Sequence, residues 1–331
     1  MDRQKHIPHP NLITRERLVA QTPYGACVLS FFDGMLPVQR ELLEAGKASC
    51  KGEQEKLLVI LCTSPSGQAP SRSGMPVLLS PYERLQMLHD MGFNEVLTWP
   101  FPPGPRGMKR LNWPMDPALL REKAGVLIPG SDLWEQPGFC ELLGLSFGQK
   151  AHWGSLIDNR FRGKGAKTLD QLTESILAGR VDKASCQLGY AYQLDGFVVE
   201  GNKIGRTLGY PTANLKLADK AKAIPSQGVY IGMVKVKDRW VSSMVNIGIR
   251  PTLDLKNVTI EAHLFDFDEE IYGDWIRIAF LLRIRDEMRF NSLSELKEQL
   301  NEDRRRSLKL LGDLLPGTST NAFVRVPFRS S

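Results

Sequence analysis

No Cys-x-x-Cys pair occurs in this sequence, and its five cysteines (Cys27, Cys50, Cys62, Cys140 and Cys186) are odd in number and scattered. Neither a disulfide framework nor a cysteine-rich zinc site follows, so a reducing cytoplasm is the expected location. No run of about 18 apolar residues is present, which leaves no candidate membrane span. The opening Met1-Asp-Arg-Gln-Lys-His leads into no apolar stretch that would read as a signal peptide. A Walker A loop is missing too, since Gly163-Lys-Gly-Ala-Lys-Thr168 lacks the glycine before its lysine. Internal repeats and low-complexity segments are also absent. Charge of one sign is in only slight excess: 43 Lys and Arg against 37 Asp and Glu give +6. That suits anionic ligands such as nucleotides but is too diffuse to indicate nucleic acid. The single tight basic run, Arg304-Arg305-Arg306, reads as the solvated face of a helix.

A length of 331 residues is enough for two domains with separate cores. In the first half, strand and helix signals alternate. Ala26–Phe32 is a short apolar strand, and a helical stretch around Val38–Ala45 closes at Gly46. Leu57–Cys62 is apolar throughout, as a parallel strand covered on both faces should be. Ser80-Pro81-Tyr82-Glu83 opens a helix with serine as N-cap, proline at N1 and glutamate at N3. Leu85, Leu88 and Met91 share its apolar face, and Gly92 ends it. Glu95–Trp99 and Gly125–Ile128 read as further strands, residues 102–118 are proline-rich and irregular, and Thr168–Gln171 opens a helix that ends near Gly179. This order predicts an α/β, doubly wound, Rossmann-like sheet.

Beyond residue 185 the pattern changes to short strands separated by turns, among them Gly228–Val236, Trp240–Asn246, Val258–Phe267 and Trp275–Ile284. Closely spaced strands without helices between them predict a small antiparallel β-barrel. A closing helix begins at the capping box Ser292-x-x-Glu295 and carries Leu296, Leu300, Leu308, Leu311 and Leu315 on one stripe. Residues 316–331 read as a tail. The domain boundary falls close to residue 184, giving domains 1–183 and 184–331.

One stretch carries most of the chemistry: Gly201-Asn-Lys-Ile-Gly-Arg-Thr-Leu-Gly-Tyr-Pro-Thr-Ala-Asn214. Gly201, Gly205 and Gly209 allow backbone conformations and close approaches that side chains forbid, of the kind that bring N–H groups to a phosphate chain. Lys203 and Arg206 add positive charge. Pro211 fixes its own φ beside Thr212, and Thr212 and Asn214 offer hard oxygens of the kind Mg²⁺ accepts alongside nucleotide phosphates. On the residues alone, a turn-rich loop between two strands remains the alternative.

The stretch resembles the signature of the riboflavin kinase family, G-x-x-x-G-R-x-L-G-[FY]-P-T-A-N, and further motifs follow in order. Gly228-Val229-Tyr230 is similar to the family's G-V-Y strand, and Asn246–Thr252 to N-I-G-x-R-P-T, with Leu253 where phenylalanine is usual. Ile260-Glu261-Ala262-His263 resembles V-E-x-H, and Ile271-Tyr272-Gly273 follows it. Arg285-Asp-Glu287-Met-Arg-Phe290 resembles R-x-E-x-x-F, which opens the flap over the flavin. The resemblance implies phosphorylation of riboflavin by ATP to FMN and ADP, with Mg²⁺. It implies Glu261 as the base and Gly201, Lys203, Gly205, Arg206, Gly209, Pro211 and Thr212 on ATP. Thr212 and Asn214 would hold the metal, and Arg285, Glu287 and Phe290 the flavin. Arg285 reads equally as a strand cap, and His263 as a structural neighbour. No nucleic-acid or membrane partner is implied.

The first half resembles more distantly the FMN adenylyltransferase module that precedes the kinase in bacterial bifunctional FAD synthetases. That module's G-N-F-D-G-V-H-L-G-H corresponds to Ser30–Gln39, where Asp33 and Gly34 survive but Leu36 and Gln39 replace both histidines. Its T-F-x-P-H-P strand end becomes Cys62–Gly67, without the histidine. Its I-S-S-T-x-I-R falls on Lys167–Thr173, without the serine pair or the arginine. Leu79–Arg84 and Gly130-Ser-Asp132 align with family landmarks. The expectation is a retained fold with a lost adenylylation site. Two alternatives stand: a bifunctional enzyme that also makes FAD, and a first domain that binds flavin or an unidentified partner without catalysis.

Overall fold

A computed structural model of the protein describes residues 24–51, 55–63, 75–100, 126–134, 166–201, 204–251 and 256–314. The chain forms two compact units, one within residues 8–173 and the other from residue 174 onward. Cys140, the stretches 102–118 and 316–331, and Asn202, Lys203, Thr252 and Leu315 lie outside the described residues.

The first unit contains β1 (Tyr24–Ser30), α1 (Pro37–Ser49), β2 (Lys56–Thr63), α2 (Pro81–Asp90), β3 (Val96–Pro100), β4 (Leu127–Pro129) and α3 (Ser131–Trp134). Its strands pair in the order β3-β2-β1-β4, every pair parallel. All seven residues of β1 are buried, as the central strand of a sheet covered on both faces requires. The predicted capping box of α2 forms: Ser80 Oγ accepts from Glu83 N–H at 3.2 Å and Glu83 Oε2 accepts from Ser80 N–H at 2.6 Å.

Three local expectations are corrected here. Helix α1 continues through Gly46 to Ser49. Gly46 is a packing glycine, since a Cβ there would lie 2.4 Å from Val28 Cγ2 and 2.8 Å from Leu57 Cδ1. On α2, Met91 is exposed and the buried positions are Glu83, Arg84, Leu85 and Leu88, because the helix turns its arginine toward a buried aspartate. The helix α4 (Ala166–Leu177) begins two residues earlier than Thr168.

The second unit contains α5 (Val181–Leu188), β5 (Tyr192–Val199), α6 (Ile204–Thr207), β6 (Ala213–Leu217), β7 (Gly228–Val236), β8 (Arg239–Pro251), β9 (Lys256–Leu264), β10 (Trp275–Arg285) and α7 (Leu293–Leu314). The six strands close into a barrel in the order β10-β5-β6-β9-β8-β7, each pair antiparallel. Closure leaves no strand edge unpaired.

Alternation along the strands gives the barrel two buried faces. Tyr230, Val245, Ala262 and Phe280 fill the inside. Val229, Ile231, Met244 and Phe265 form a second cluster with Leu311 of α7, which places that cluster outside and beneath the helix. The leucine stripe is corrected in part. Asp303, Ser307 and Leu311 are the buried positions of α7, while Leu308 is exposed. Val258, near the start of β9, is also exposed. Among the described residues no helix is long and apolar enough to cross a membrane.

Candidate active site

Strand register assembles the site. Reading across the barrel, Val199 pairs with Asn214, Asn214 with Glu261, Glu261 with Asn246, Asn246 with Val229 and Val229 with Arg285. Residues directly opposite one another share a face, so six strands contribute one row of side chains to the outer wall under α7. His263 lies two residues along β9 from Glu261 and therefore on the same face.

Two cavities open onto this wall. The smaller, about 270 Å³, is lined by Tyr210, Met244, Asn246, Phe290, Leu296 and Leu300, with Glu261, His263, Arg285 and Glu287 as its charged or polar walls. The larger, about 610 Å³, is bordered by Gly201, Arg206, Pro211, Asn214 and a run of acids at Asp268, Glu269 and Glu270. Thr212 lines both. Its hydroxyl donates to Glu261 Oε2 at 3.3 Å.

The glycine-rich stretch is less of a loop than its composition suggests. It contains the short α6 and leads into β6. Gly201 makes room for the Asn214 amide, which would lie 2.3 Å from a Cβ, and Gly205 for the Tyr210 carbonyl, also 2.3 Å from one. Gly209 sits at φ +85°, in the left-handed region that favours glycine. It borders neither cavity, and Lys203 lies outside the described residues.

Thr212 and Asn214 stand at i and i+2 around the start of β6, with neutral oxygen donors. No cluster of three or more His, Cys, Asp or Glu that could hold a metal occurs among the described residues. Two hard oxygens that need phosphate and water to complete a shell suit Mg²⁺. The acidic wall of the larger cavity points the same way, since it disfavours a bare polyphosphate and accepts one accompanied by a cation.

The smaller cavity is braced by α7. Arg285 makes a forked contact with Asp303, Nε to Oδ2 at 2.9 Å and Nη2 to Oδ2 at 2.7 Å, and Nη1 donates to the Asp286 carbonyl. Tyr210 donates to Asn301 Oδ1 on the same helix at 2.5 Å. Glu287 approaches Gly248, where a Cβ would meet its Oε1 at 2.5 Å. His263 Nδ1 is 2.8 Å from the Pro211 carbonyl, and burial holds its imidazole below the ordinary histidine range. Glu261 and the residues expected on the flavin, Arg285, Glu287 and Phe290, line this cavity, and so do Gly205 and Thr212, which were expected on ATP; Asn246 and Asp303 were given no role and His263 only a structural one. Their positions depend on register and on a helix distant in sequence. The two motifs in which Asn246 and His263 occur were the available signals.

Residues 188–311 match the family model described as Flavokinase: Riboflavin kinase. Most of the second unit is thus similar to the riboflavin kinase family. The chain is similar, at 38% identity over 139 residues, to the bifunctional riboflavin kinase/FMN adenylyltransferase of Bacillus subtilis (strain 168), a match covering 41% of this chain and 44% of that one. Against that relative the chain therefore spans under half the length. The protein of the same description from Escherichia coli (strain K12) is 26% identical over 89% of this chain and 96% of its own length. Among solved structures, one described as a macrolide-efflux protein from Streptococcus pneumoniae superposes with a TM-score of 0.68 and 24% identity, covering 90% of this chain and 99% of that chain. That likeness speaks to the fold alone.

In the first unit, the Ser30–Gln39 segment is bonded to residues from elsewhere in that unit. Asp132 Oδ2 accepts from Ser30 Oγ at 2.7 Å, Phe31 N–H at 3.0 Å and Gln39 Nε2 at 3.3 Å. Burial pushes this carboxyl above its ordinary range, against those hydrogen bonds. Gln39 Oε1 also accepts the Leu36 N–H at the start of α1, at 2.8 Å. Asp33 accepts from Leu78 and Leu79 N–H at 2.9 Å each and lies 3.4 Å from Arg84. Ser30, Asp33, Gln39 and Arg84 are all buried. Phe32 and Met35 hold positive φ values, 53° and 42°, a conformation that costs energy outside glycine.

Proposed function

We propose that this protein transfers the γ-phosphoryl group of ATP to the ribityl 5′-hydroxyl of riboflavin, yielding FMN and ADP. The observation that carries the reading is Thr212, which borders both cavities and touches Glu261. A phosphoryl transfer needs an acceptor pocket, a donor pocket and a charge-neutralising point where they meet. The smaller cavity, with Tyr210, Met244 and Phe290, suits an aromatic ring system. The larger, with Arg206, Thr212 and Asn214, suits the nucleotide. Glu261 lies on the acceptor side, where it receives the proton as the hydroxyl oxygen forms its bond to phosphorus. Such general-base help is worth roughly 10²–10⁴-fold. Mg²⁺ held by Thr212 and Asn214 would supply charge neutralisation at the phosphates. Arg285, fixed to Asp303, braces the acceptor pocket, and Glu287 and Phe290 face the flavin. The kinase chemistry lies entirely in the second unit, from residue 174 onward.

For the first domain the reading is a retained fold without FMN adenylylation. The donors that would stabilise a leaving pyrophosphate at a helix N-terminus are replaced there by Leu36 and Gln39, and Gln39 is occupied by Asp132 and the Leu36 N–H. A second reading, a bifunctional enzyme that also makes FAD, is favoured by the Escherichia coli relative, whose match runs through most of this chain. Incubation with riboflavin, ATP and Mg²⁺, with products separated by chromatography, tests both. FMN without FAD is the expected outcome, and absence of FMN overturns the kinase reading.

A further inference from the structure

We propose that His263 is a positioning residue for Thr212, setting its hydroxyl between the two cavities through the Pro211 carbonyl. This rests on the phosphoryl-transfer reading and adds a residue to it. A carbonyl oxygen can only accept, so the 2.8 Å contact requires the proton on Nδ1 and makes His263 the donor. The consequence follows from backbone geometry. Proline locks the φ of Pro211, and the peptide that joins it to Thr212 is planar. One soft rotation, ψ of Pro211, therefore remains between the ring and Thr212, and it is the rotation that swings the carbonyl. A hydrogen bond to that oxygen removes it.

The donor is itself immobilised. His263 is 8% exposed, and its ring lies between Tyr210 and Phe265, with centroids 5.0 and 5.7 Å away. It also stands on the strand that carries Glu261, two residues on, so one rigid element holds the base and the anchor of the residue the base touches. The 3.3 Å separation of Thr212 and Glu261 is thereby set from β9. Misplacement by about 1 Å at such a point can cost on the order of 10²-fold in rate.

Two substitutions separate positioning from mere packing. His263→Phe keeps an aromatic ring against Tyr210 and Phe265 but removes the donor. His263→Asn loses the ring and keeps an N–H near the Nδ1 position. The Phe variant should stay folded, with a far-UV circular dichroism spectrum like the parent's. It should lose about tenfold or more in kcat and bind Mg²⁺·ADP more weakly in calorimetry. The Asn variant should be the less stable to heat yet the more active. If activity instead follows thermal stability, with Phe above Asn, the role is structural and the proposal fails. It fails equally if the Phe variant keeps the parent's kcat and Mg²⁺·ADP affinity. Absence of riboflavin phosphorylation by the unsubstituted protein would instead overturn the kinase reading on which the proposal rests.

Discussion

Thr212 Oγ1 lies 3.3 Å from Glu261 Oε2, with the threonine as donor. The two residues are 49 positions apart in sequence and meet because Asn214 and Glu261 are register partners. A hydroxyl that gives its hydrogen to a carboxylate keeps its lone pairs for another electrophile. On the proposed reading the pair would join a place for a proton to a place for a cation, at the border of two cavities.

Removing the proton acceptor should stop turnover without unfolding the chain. Glu261→Gln retains shape and should lower kcat by about 10²-fold or more. Near-normal turnover in a well-folded variant would remove Glu261 from its role.

The metal role of Thr212 has its own test. Thr212→Val is nearly isosteric but has no oxygen, so the rate should collapse and the Mg²⁺ concentration needed for half-maximal activity should rise. An unchanged metal titration curve would count against coordination by this residue.

Helix α7 should matter to stability and to acceptor binding together. Asp303 is 3% exposed and Arg285 16% at the side chain, so Asp303→Asn strands a largely desolvated guanidinium. Loss of one partner of a buried pair costs about 3 kcal/mol or more. Urea unfolding should report that loss, and KM for riboflavin should rise more than KM for ATP. Equal changes in both would argue against α7 as a wall of the acceptor pocket.

FMN, ATP and Mg²⁺ should give no FAD above background, with riboflavin phosphorylation in the same preparation as control. Loss of a single charge-stabilising donor typically costs about 10²–10³-fold, and several are replaced in the first unit. Steady FAD production would promote the bifunctional reading.

Acid should destabilise the barrel partly through His263. Burial is the main cause of its lowered pKa. The Pro211 carbonyl and Asp266 act against that shift, and Arg304 adds to it. The unfolded chain then binds the proton more tightly than the folded one. The stabilising contribution of the neutral ring is whole above about pH 6.5 and is lost as pH falls through that value toward the folded pKa. Between pH 7.5 and 5.5 the unsubstituted protein should therefore lose more unfolding free energy than His263→Phe, in which other groups titrate alike. Parallel curves would show that the imidazole does not contribute.

Local chemistry was readable wherever it was self-contained. Ser80 and Glu83 announce a helix start because both partners of the cap lie within four residues. The apolar run Leu57–Cys62 announces a strand covered on both faces for a similar reason. Gly46 misled because glycine ends helices and also permits close packing, and only the position of Val28 decides between the two. Helix α5 was missed because its buried face is Val181, Ala184, Ser185 and Leu188, too small and polar to mark a stripe. In the site, Glu261 was legible from its motif. Asn246, His263 and Asp303 gain their places from cross-strand register and from a helix packed over it, and neither is written in local periodicity.

Barrel closure has a consequence for how activity appears in time. The row that ends at Arg285 draws on every strand from β5 to β10, and β10 seals the barrel by pairing Trp275 with Phe197. Contacts between residues so far apart in sequence form slowly, because a long loop must close before any reward is gained. No fragment ending before Arg285 contains the row, and none ending before Asp303 contains its brace. On the ribosome, and in refolding from denaturant, catalysis should therefore emerge in one late step that coincides with sealing of the barrel.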